Sequence, residues 1–185
     1  VGLCEIEKAC VYYAKALEHD DSPLINISNE LITSNNLSCL SSETLFQKHV
    51  EGSKYFPPAD TLLKRPYSGD RKIRIGYFSA DFRSHSVAYF LWPLISNHDR
   101  SRFEVYCYYN NDTVDSMTRN IRSCSDSWVR TVEIEDEVLV NLIREHQIDI
   151  MIDLSGHTGH NRLPVLSRRV APIQITWLGY PHSPG

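Results

Sequence analysis

The stretch IDIMIDLSGHTGHNRL, residues 148–163, joins an apolar segment to a polar loop that contains glycine. Residues 148–155 show no regular alternation of polar and apolar side chains, which is typical of a strand covered on both faces. Such a strand favours a parallel sheet with helices packed on either side. The loop after it contains two histidines three residues apart, His157 and His160, and is therefore a candidate site.

The segments on either side of this stretch repeat the same strand-and-helix pattern. Short apolar runs predict strands at residues 71–79, 103–109, 127–132, 148–155 and 172–179. Helical spacing of apolar residues predicts helices between them, at residues 86–97, 114–124, 135–147 and 162–169. This alternation indicates an α/β fold with a Rossmann-like parallel sheet over residues 71–185. We expect its core, rather than a ligand, to receive Tyr89, Phe90, Trp92, Val105 and Trp177.

The first 70 residues are predicted to form helices followed by a linker. Residues 1–20 have apolar side chains at helical spacing, in a pattern that resembles the second helix of a tetratricopeptide repeat. Any amphipathic surface helix would also fit this pattern. Residues 21–70 predict a short helix within 27–36, a longer one with Ser42 as N-cap, and a proline-rich linker that ends at a domain boundary near residue 70. The longer helix should bury an apolar stripe of Leu45, Phe46, Val50 and Phe56.

Composition and charge exclude several classes of protein. A net charge of −4 with 19 lysines and arginines gives no basic surface for nucleic acid. No apolar run approaches the ~18 residues of a membrane helix, and charged residues interrupt the region where a signal peptide would be apolar. The 5 cysteines lack a C-x-x-C pair, which argues against a disulfide framework or zinc ribbon and fits reduced thiols in the cytoplasm. Because the chain begins without Met and stops after a strand signal, we expect a piece of a longer protein.

Ligands in open α/β sheets bind outside the carboxyl ends of the strands. Here that edge would carry three polar loops, at residues 79–86, 155–161 and 179–185. The G-x-G-x-x-G and P-loop patterns of nucleotide-phosphate loops do not occur in the sequence. Ser155 also lacks the G-x-S-x-G context of a serine nucleophile.

The histidines and aspartates of these loops allow three hypotheses. His157 and His160 could ligate zinc with a further ligand from the first loop, although H-x-x-H in a turn without a nearby thiol is a weak metal pattern. Asp81 and His85, four residues apart where a strand meets a helix, could accept a hydroxyl proton or position a group that does. Alternatively, Asp81 or a neighbouring serine only caps the helix. The spacing alone leaves these alternatives open.

Four longer motifs are more specific than any single loop. They are, in chain order, RIGYFSADFRSHSVAYF, RFEVYCYY, IDIMIDLSGHTGHNRL and APIQITWLGYPHSPG. Together they resemble the start of the catalytic region of the O-GlcNAc transferase and SPINDLY family. Its members are inverting protein O-glycosyltransferases with an N-terminal tetratricopeptide superhelix, and the resemblance runs from about residue 28 to residue 185.

The resemblance implies a GT-B architecture, in which two Rossmann-like lobes face each other across a cleft. Residues 1–20 would end the repeat array, residues 21–70 would form a helical connector and linker, and residues 71–185 would form the N-terminal lobe. The second lobe would be absent, so we expect the fragment alone to be inactive.

The implied reaction moves a sugar, GlcNAc in the first instance, from UDP-GlcNAc to Ser or Thr of proteins. The resemblance implies no metal and no other cofactor. Protein acceptors would bind through the tetratricopeptide repeats. The reaction would take place in the cytoplasm and, in a eukaryote, also in the nucleus.

Site residues follow from the resemblance position by position. Asp81 and His85 match the family's active-site loop and are the implied catalytic pair. The donor sugar would lie against two further turns, G-H-T and L-G-Y-P, which comprise Gly156, His157, Thr158, Leu178, Gly179, Tyr180 and Pro181.

Two positions depart from the animal enzymes of this family. Asn35 stands where a connector histidine is expected, and His85-Ser86-Val87 replaces His-Pro-Thr. Both changes resemble SPINDLY-type and bacterial members, and because the SPINDLY branch uses GDP-fucose, the donor sugar stays open. A second hypothesis is a protein-interaction module whose catalytic lobe is degenerate.

Overall fold

A computed structural model describes residues 3–19, 23–60, 66–67 and 69–185. The helices are α1 Leu3–Leu17, α2 Pro23–Ser34, α3 Ser42–Gly52, α4 Ser86–Ser96, α5 Ser116–Ser123, α6 Asp136–Glu145 and α7 Leu163–Leu166, with a 3₁₀ turn at Ser53–Tyr55. The strands are β1 Ile73–Ser79, β2 Phe103–Tyr109, β3 Ser127–Arg130, β4 Ile150–Asp153 and β5 Ile173–Thr176. Parts of the predicted first helix and of the predicted linker lie outside the described residues.

The strands form one parallel sheet in the order β3-β2-β1-β4-β5, which confirms the predicted α/β fold. From β1 the chain first moves outward to β2 and β3, and it then returns across β1 to β4 and β5. The strand order therefore reverses between β1 and β4. In open α/β sheets, the loops from the carboxyl ends of two such strands diverge, and ligands bind in the crevice between them.

The central strand β1 is buried on both faces. Tyr77 and Phe78, which are neighbours in β1 and point to opposite faces, are 1% and 0% exposed. The core on the Tyr77 face is completed by α4 and α5 residues such as Leu91 and Ile121. The core on the Phe78 face is completed by α6 and α7. Two covered faces explain why the strands lack polar alternation.

Part of the predicted core is wrong. Val105 is fully buried and Trp92 packs partly against the core, but Tyr89 and Phe90 are 59% and 67% exposed. The reason is that α4 buries a different face, made by residues such as Leu91. Trp177 follows the edge strand β5 and is also exposed.

The helices before the sheet begin and end slightly differently from their prediction. The N-cap of α3 is Ser41 rather than Ser42, because Ser41 has the extended backbone from which its hydroxyl accepts the Thr44 N–H at 3.1 Å. The predicted apolar stripe of this helix is wrong in part. Phe46 and Val50 are exposed, and α3 buries a histidine and a glycine instead, His49 and Gly52.

One ion-pair cluster holds the described part of the linker against the sheet layer. Arg144 and Arg168 donate to the Asp60 carboxylate at 2.6 and 3.1 Å. The hydrogen bond from Arg144 is the main cause that lowers the pKa of Asp60 below its usual range. Among the described helices, none has the length and apolar character needed to cross a membrane.

Replacing Leu91 by Ala should lower the free energy of unfolding by about 2–5 kcal/mol, because deletion of a fully buried side chain leaves a cavity. Leu94→Ala is the matched control on the same helix, since Leu94 is 41% exposed and should cost less than about 1 kcal/mol. Urea unfolding followed by circular dichroism measures both losses. Equal losses would contradict the buried face assigned to α4.

Candidate active site at the carboxyl edge of the sheet

The loops that follow β1, β4 and β5 lie at one edge of the sheet, as predicted from parallel strand order. Asn110, directly after β2, links the loop after β3 to the loop after β4. Its side chain donates to the His160 carbonyl at 2.8 Å and accepts from the Thr131 hydroxyl at 3.0 Å. His160 itself is exposed and has a φ of 59°, so it shapes the turn through its backbone.

Asp81 and His85 lie together at the end of β1. Their closest atoms, Asp81 Oδ2 and His85 Nδ1, are 3.6 Å apart. The other oxygen, Oδ1, accepts from the Arg83 guanidinium at 3.0 Å, and the carboxylate is largely buried. The Asp81 carboxylate therefore faces a guanidinium on one oxygen and an imidazole nitrogen on the other.

The N-cap of α4 is His85, so the prediction that Asp81, Ser84 or Ser86 caps this helix is wrong. His85 has extended backbone, and its Nδ1 accepts from the Val87 N–H at 3.3 Å. That bond is long, and the same nitrogen faces Asp81. The capping and proton-transfer hypotheses therefore concern the same atom, Nδ1 of His85.

Asp115, which sequence reasoning missed, anchors the Asp81 loop from the loop that follows the neighbouring strand β2. Its carboxylate accepts the Thr118 N–H at 2.9 Å as the N-cap of α5 and the Ser84 N–H at 2.6 Å. These backbone hydrogen bonds, first that of Thr118, hold the pKa of Asp115 well below its usual range. Its sequence signal, Asp three residues before Thr, predicts a helix cap but cannot show the second bond.

The loop after β4 is shaped by Asp153 and Gly156. The buried Asp153 carboxylate accepts the N–H groups of Ser155 and Gly156 at 3.0 and 2.9 Å, and burial raises its pKa. Gly156 has a φ of 53°, and a Cβ there would lie 2.4 Å from Cβ of Tyr180. Thr158 closes the turn by donating to the Ser155 carbonyl at 2.8 Å.

The loop after β5 packs against the loop after β4. A Cβ at Gly179 would lie 1.6 Å from the carbonyl oxygen of Leu154, so only glycine fits there. Leu178 has a φ of 72°, a conformation that costs energy for a branched side chain. Pro181 is exposed and Tyr180 is buried. The predicted G-H-T and L-G-Y-P turns are thus in direct contact, which the sequence could not show.

His157 connects these loops to α2. Its Nε2 must donate to the Pro184 carbonyl, 2.8 Å away, so its Nδ1 accepts from the Ser28 hydroxyl at 3.1 Å. The side chain is 1% exposed, and burial lowers its pKa to about 4. Because both nitrogens are occupied, the zinc hypothesis has no support here. No group of His, Cys, Asp and Glu within the described ranges could hold a metal ion.

Tyr180 connects the same loops to α2 and α3. Its hydroxyl lies 2.7 Å from Nε2 of His49 and accepts from the side-chain amide of Asn35 at 2.8 Å. Burial raises the pKa of Tyr180 to about 12. His49 and Ser28 were missed from the sequence, because a histidine on a helix and a serine in α2 have no motif around them. The roles assigned to the predicted site residues stay predictions, but their placement at one edge is now defined.

The pKa of His157 predicts a pH dependence of stability. Its folded pKa of about 4 lies below the unfolded value near 6.5, so protons bind the unfolded chain more tightly. The resulting contribution of His157 to the free energy of unfolding, on the order of 3 kcal/mol, is present above pH ~6.5 and is lost as the pH falls towards ~4. His157→Gln should flatten the decline of unfolding free energy across this window, as measured by urea unfolding.

The exposed His160 provides the matched control for that measurement. His160→Gln should leave the decline as steep as in the unsubstituted chain, because an exposed side chain loses little hydration on folding. If His157→Gln and the unsubstituted chain lose stability at the same rate with pH, the buried neutral state of His157 is wrong.

Comparison with known proteins identifies relatives. Residues 55–185 match the family model described as Glycosyl transferase family 41. The chain is 33% identical over 180 residues to a rice (Oryza sativa subsp. japonica) protein named "Probable UDP-N-acetylglucosamine--peptide N-acetylglucosaminyltransferase SPINDLY". This similarity covers 94% of the chain but 19% of the rice protein.

A nematode enzyme and a bacterial structure extend the similarity. The Caenorhabditis elegans UDP-N-acetylglucosamine--peptide N-acetylglucosaminyltransferase is 34% identical over 119 residues, which cover 62% of this chain and 10% of that protein. The solved Thermobaculum terrenum O-GlcNAc transferase, a K341M mutant, superposes with a TM-score of 0.84 at 34% identity. It is matched over 94% of this chain and 34% of its own. The chain therefore belongs to glycosyl transferase family 41, and SPINDLY and O-GlcNAc transferase proteins are its relatives.

Proposed function

We propose that this chain is part of an inverting protein O-glycosyltransferase that moves a sugar from a nucleotide sugar to Ser or Thr of proteins. The observation that carries the proposal is the Asp81–His85 pair, whose closest atoms are 3.6 Å apart at the carboxyl end of β1. The pair lies beside the reversal of strand order, in a chain whose family is established. A carboxylate beside an imidazole at this place suits a reaction in which a base must receive the proton of a hydroxyl.

The chemistry requires three events around one anomeric carbon. The acceptor O–H bond breaks, the new C–O bond forms on one face of the sugar, and the bond to the diphosphate breaks on the opposite face. The electron pair leaves with the diphosphate, and the hydroxyl proton passes to the Asp81–His85 pair. Most of the rate gain would come from alignment and from stabilising the charge on the leaving group.

The turns after β4 and β5 are proposed to bind the donor sugar. Gly156 and Gly179 remove side-chain bulk where these turns touch each other, which lets the two turns pack together as one surface. Thr158, Leu178 and Pro181 lie on the same turns and complete this proposed surface, whereas the side chain of His157 is occupied inside it.

We assign the remaining roles by the same proposal. Residues 1–20 would end a tetratricopeptide array that binds acceptor proteins, residues 21–70 would be the connector, and residues 71–185 the first lobe of a GT-B enzyme. Since the chain spans 19% of the rice relative, a second lobe outside residues 1–185 would hold most of the nucleotide. We therefore expect little or no turnover from this chain alone.

The proposed donor is UDP-GlcNAc, which the names of the relatives contain, with GDP-fucose as the alternative of the SPINDLY branch. No metal or other cofactor enters the proposed reaction. A cytoplasmic location is proposed because four of the five cysteines, Cys10, Cys39, Cys107 and Cys124, are free thiols.

Substitution of the catalytic pair tests the proposal in the full reading frame that contains this chain. Asp81→Asn and His85→Ala should each lower kcat about 10²- to 10⁴-fold with folding intact, because each removes a group that receives or stabilises the proton. Asp99→Asn is the matched control, since Asp99 lies in the turn before β2 at the opposite edge and its carboxylate accepts from the N–H and hydroxyl of Ser101.

Mass spectrometry of an acceptor protein, incubated separately with UDP-GlcNAc and GDP-fucose, measures the transfer and identifies the donor. A folded full-length protein that transfers neither sugar would contradict the proposal and favour the protein-interaction module. Near-normal rates for Asp81→Asn and His85→Ala would reduce both residues to helix cap and packing.

A further inference from the structure

Three tyrosine–histidine hydrogen bonds occur within the described ranges, and one of them joins the helices before the sheet to the candidate site. Tyr180 and His49 are 2.7 Å apart although they are 131 positions apart in sequence. The other two pairs, Tyr77–His98 at 2.7 Å and Tyr108–His146 at 2.8 Å, connect strands to the turns after helices α4 and α6. These two pairs are natural comparisons for the first.

The direction of each bond around His49 is fixed by its partners. Nδ1 lies 2.7 Å from the Leu45 carbonyl, which only accepts, so Nδ1 carries the proton. In the neutral ring Nε2 is then bare and accepts the Tyr180 O–H. Tyr180 in turn accepts from Asn35, whose amide also donates to the Leu31 carbonyl at 3.2 Å. His49 is 0% exposed, and burial is the main cause that lowers its pKa, which keeps the ring neutral.

Two turns, G-H-T at residues 156–158 and L-G-Y-P at residues 178–181, are proposed to bind the donor sugar and are called the donor turns. The position of Tyr180 determines how they meet. A Cβ on Gly156 would lie 2.6 Å from Cγ of Tyr180, so the Tyr180 ring packs directly against the β4 loop. The His157 ring packs edge-on to Tyr180 at 5.3 Å, and His182 stacks on His49 at 4.6 Å. A displacement of the Tyr180 ring would therefore move both loops.

We propose that His49 is a positioning residue for the donor turns: with Asn35 it fixes the Tyr180 hydroxyl, and Tyr180 sets the spacing between Gly156 and the L-G-Y-P turn. The His49 ring also lies edge-on to the His157 ring, at 5.7 Å between centroids, and its hydrogen bond to these turns is made to the Tyr180 hydroxyl. The role rests on the proposed function, since the ligand whose binding it would tune is the nucleotide sugar.

Substitutions that remove or retain an acceptor for the Tyr180 hydroxyl test this role in the full-length protein. His49→Phe keeps a flat ring against His182 but leaves the Tyr180 hydroxyl without its acceptor. It should raise the KM for the nucleotide sugar about 5- to 50-fold and change kcat less than about threefold. His49→Gln offers an amide oxygen to the same hydroxyl and should restore KM to within about threefold.

Two controls separate positioning from general loss of packing. His98→Phe and His146→Phe each remove the partner of a tyrosine hydroxyl in the same way, at places remote from the donor turns, and should leave KM unchanged. The double variant His49→Phe with Tyr180→Phe should raise KM no further than the larger single effect, because the His49–Tyr180 hydrogen bond is already lost in each single variant. If His49→Phe does not fold, Tyr180→Phe and Asn35→Leu report on the same contact.

The outcomes are distinguishable from failure of the proposed function. An active protein in which His49→Phe leaves KM unchanged, or in which His98→Phe raises it equally, overturns the positioning role alone. A protein that transfers neither sugar overturns the proposed function and the role together. The geometry has its own readout, because ¹⁵N NMR of this chain should show His49 with a protonated Nδ1 and bare Nε2, and the opposite tautomer would overturn the role whatever the activity.

Discussion

The structure depends on one constraint, which is that β1 must be covered on both faces. Tyr77 and Phe78 point to opposite sides of the sheet and are both buried, so helices must lie on each side. The chain meets this demand by placing α4 and α5 on one face, crossing back, and placing α6 and α7 on the other. That crossing reverses the strand order between β1 and β4 and creates the crevice at the carboxyl edge. The candidate site is a direct consequence of how the central strand is buried.

At this edge, side chains from outside the sheet decide the shape of the loops. The helices before the sheet contribute Asn35 and His49 to Tyr180, and Ser28 to His157. Buried polar groups of this kind stabilise one arrangement, because any other leaves a donor or acceptor without a partner. The segment before the sheet is therefore part of the site's construction.

The sequence predicted the sheet better than the site. Apolar runs at residues 103–109 and 148–155 predict strands because burial on both faces leaves a local trace in the sequence. Contacts between distant residues leave no such trace, which is why His49 was assigned to no role and Phe46 to a buried stripe that is exposed. The glycines of the two donor turns were recognised by family resemblance. The physical reason why glycine is required, such as the contact of Gly179 with the Leu154 carbonyl, is visible only in the folded structure.

The most direct measurement for the central claim, that sugar transfer takes place at the carboxyl edge beside the β1–β4 reversal, is photo-crosslinking. A nucleotide sugar with a photoreactive group on its sugar is bound to the full-length protein, and the modified peptides are identified by mass spectrometry. Labelling should concentrate in residues 156–158 and 178–181 and should disappear when unmodified donor competes. Competable labelling of this chain confined to the opposite edge of the sheet, such as the turn at Asp99, would contradict the claim.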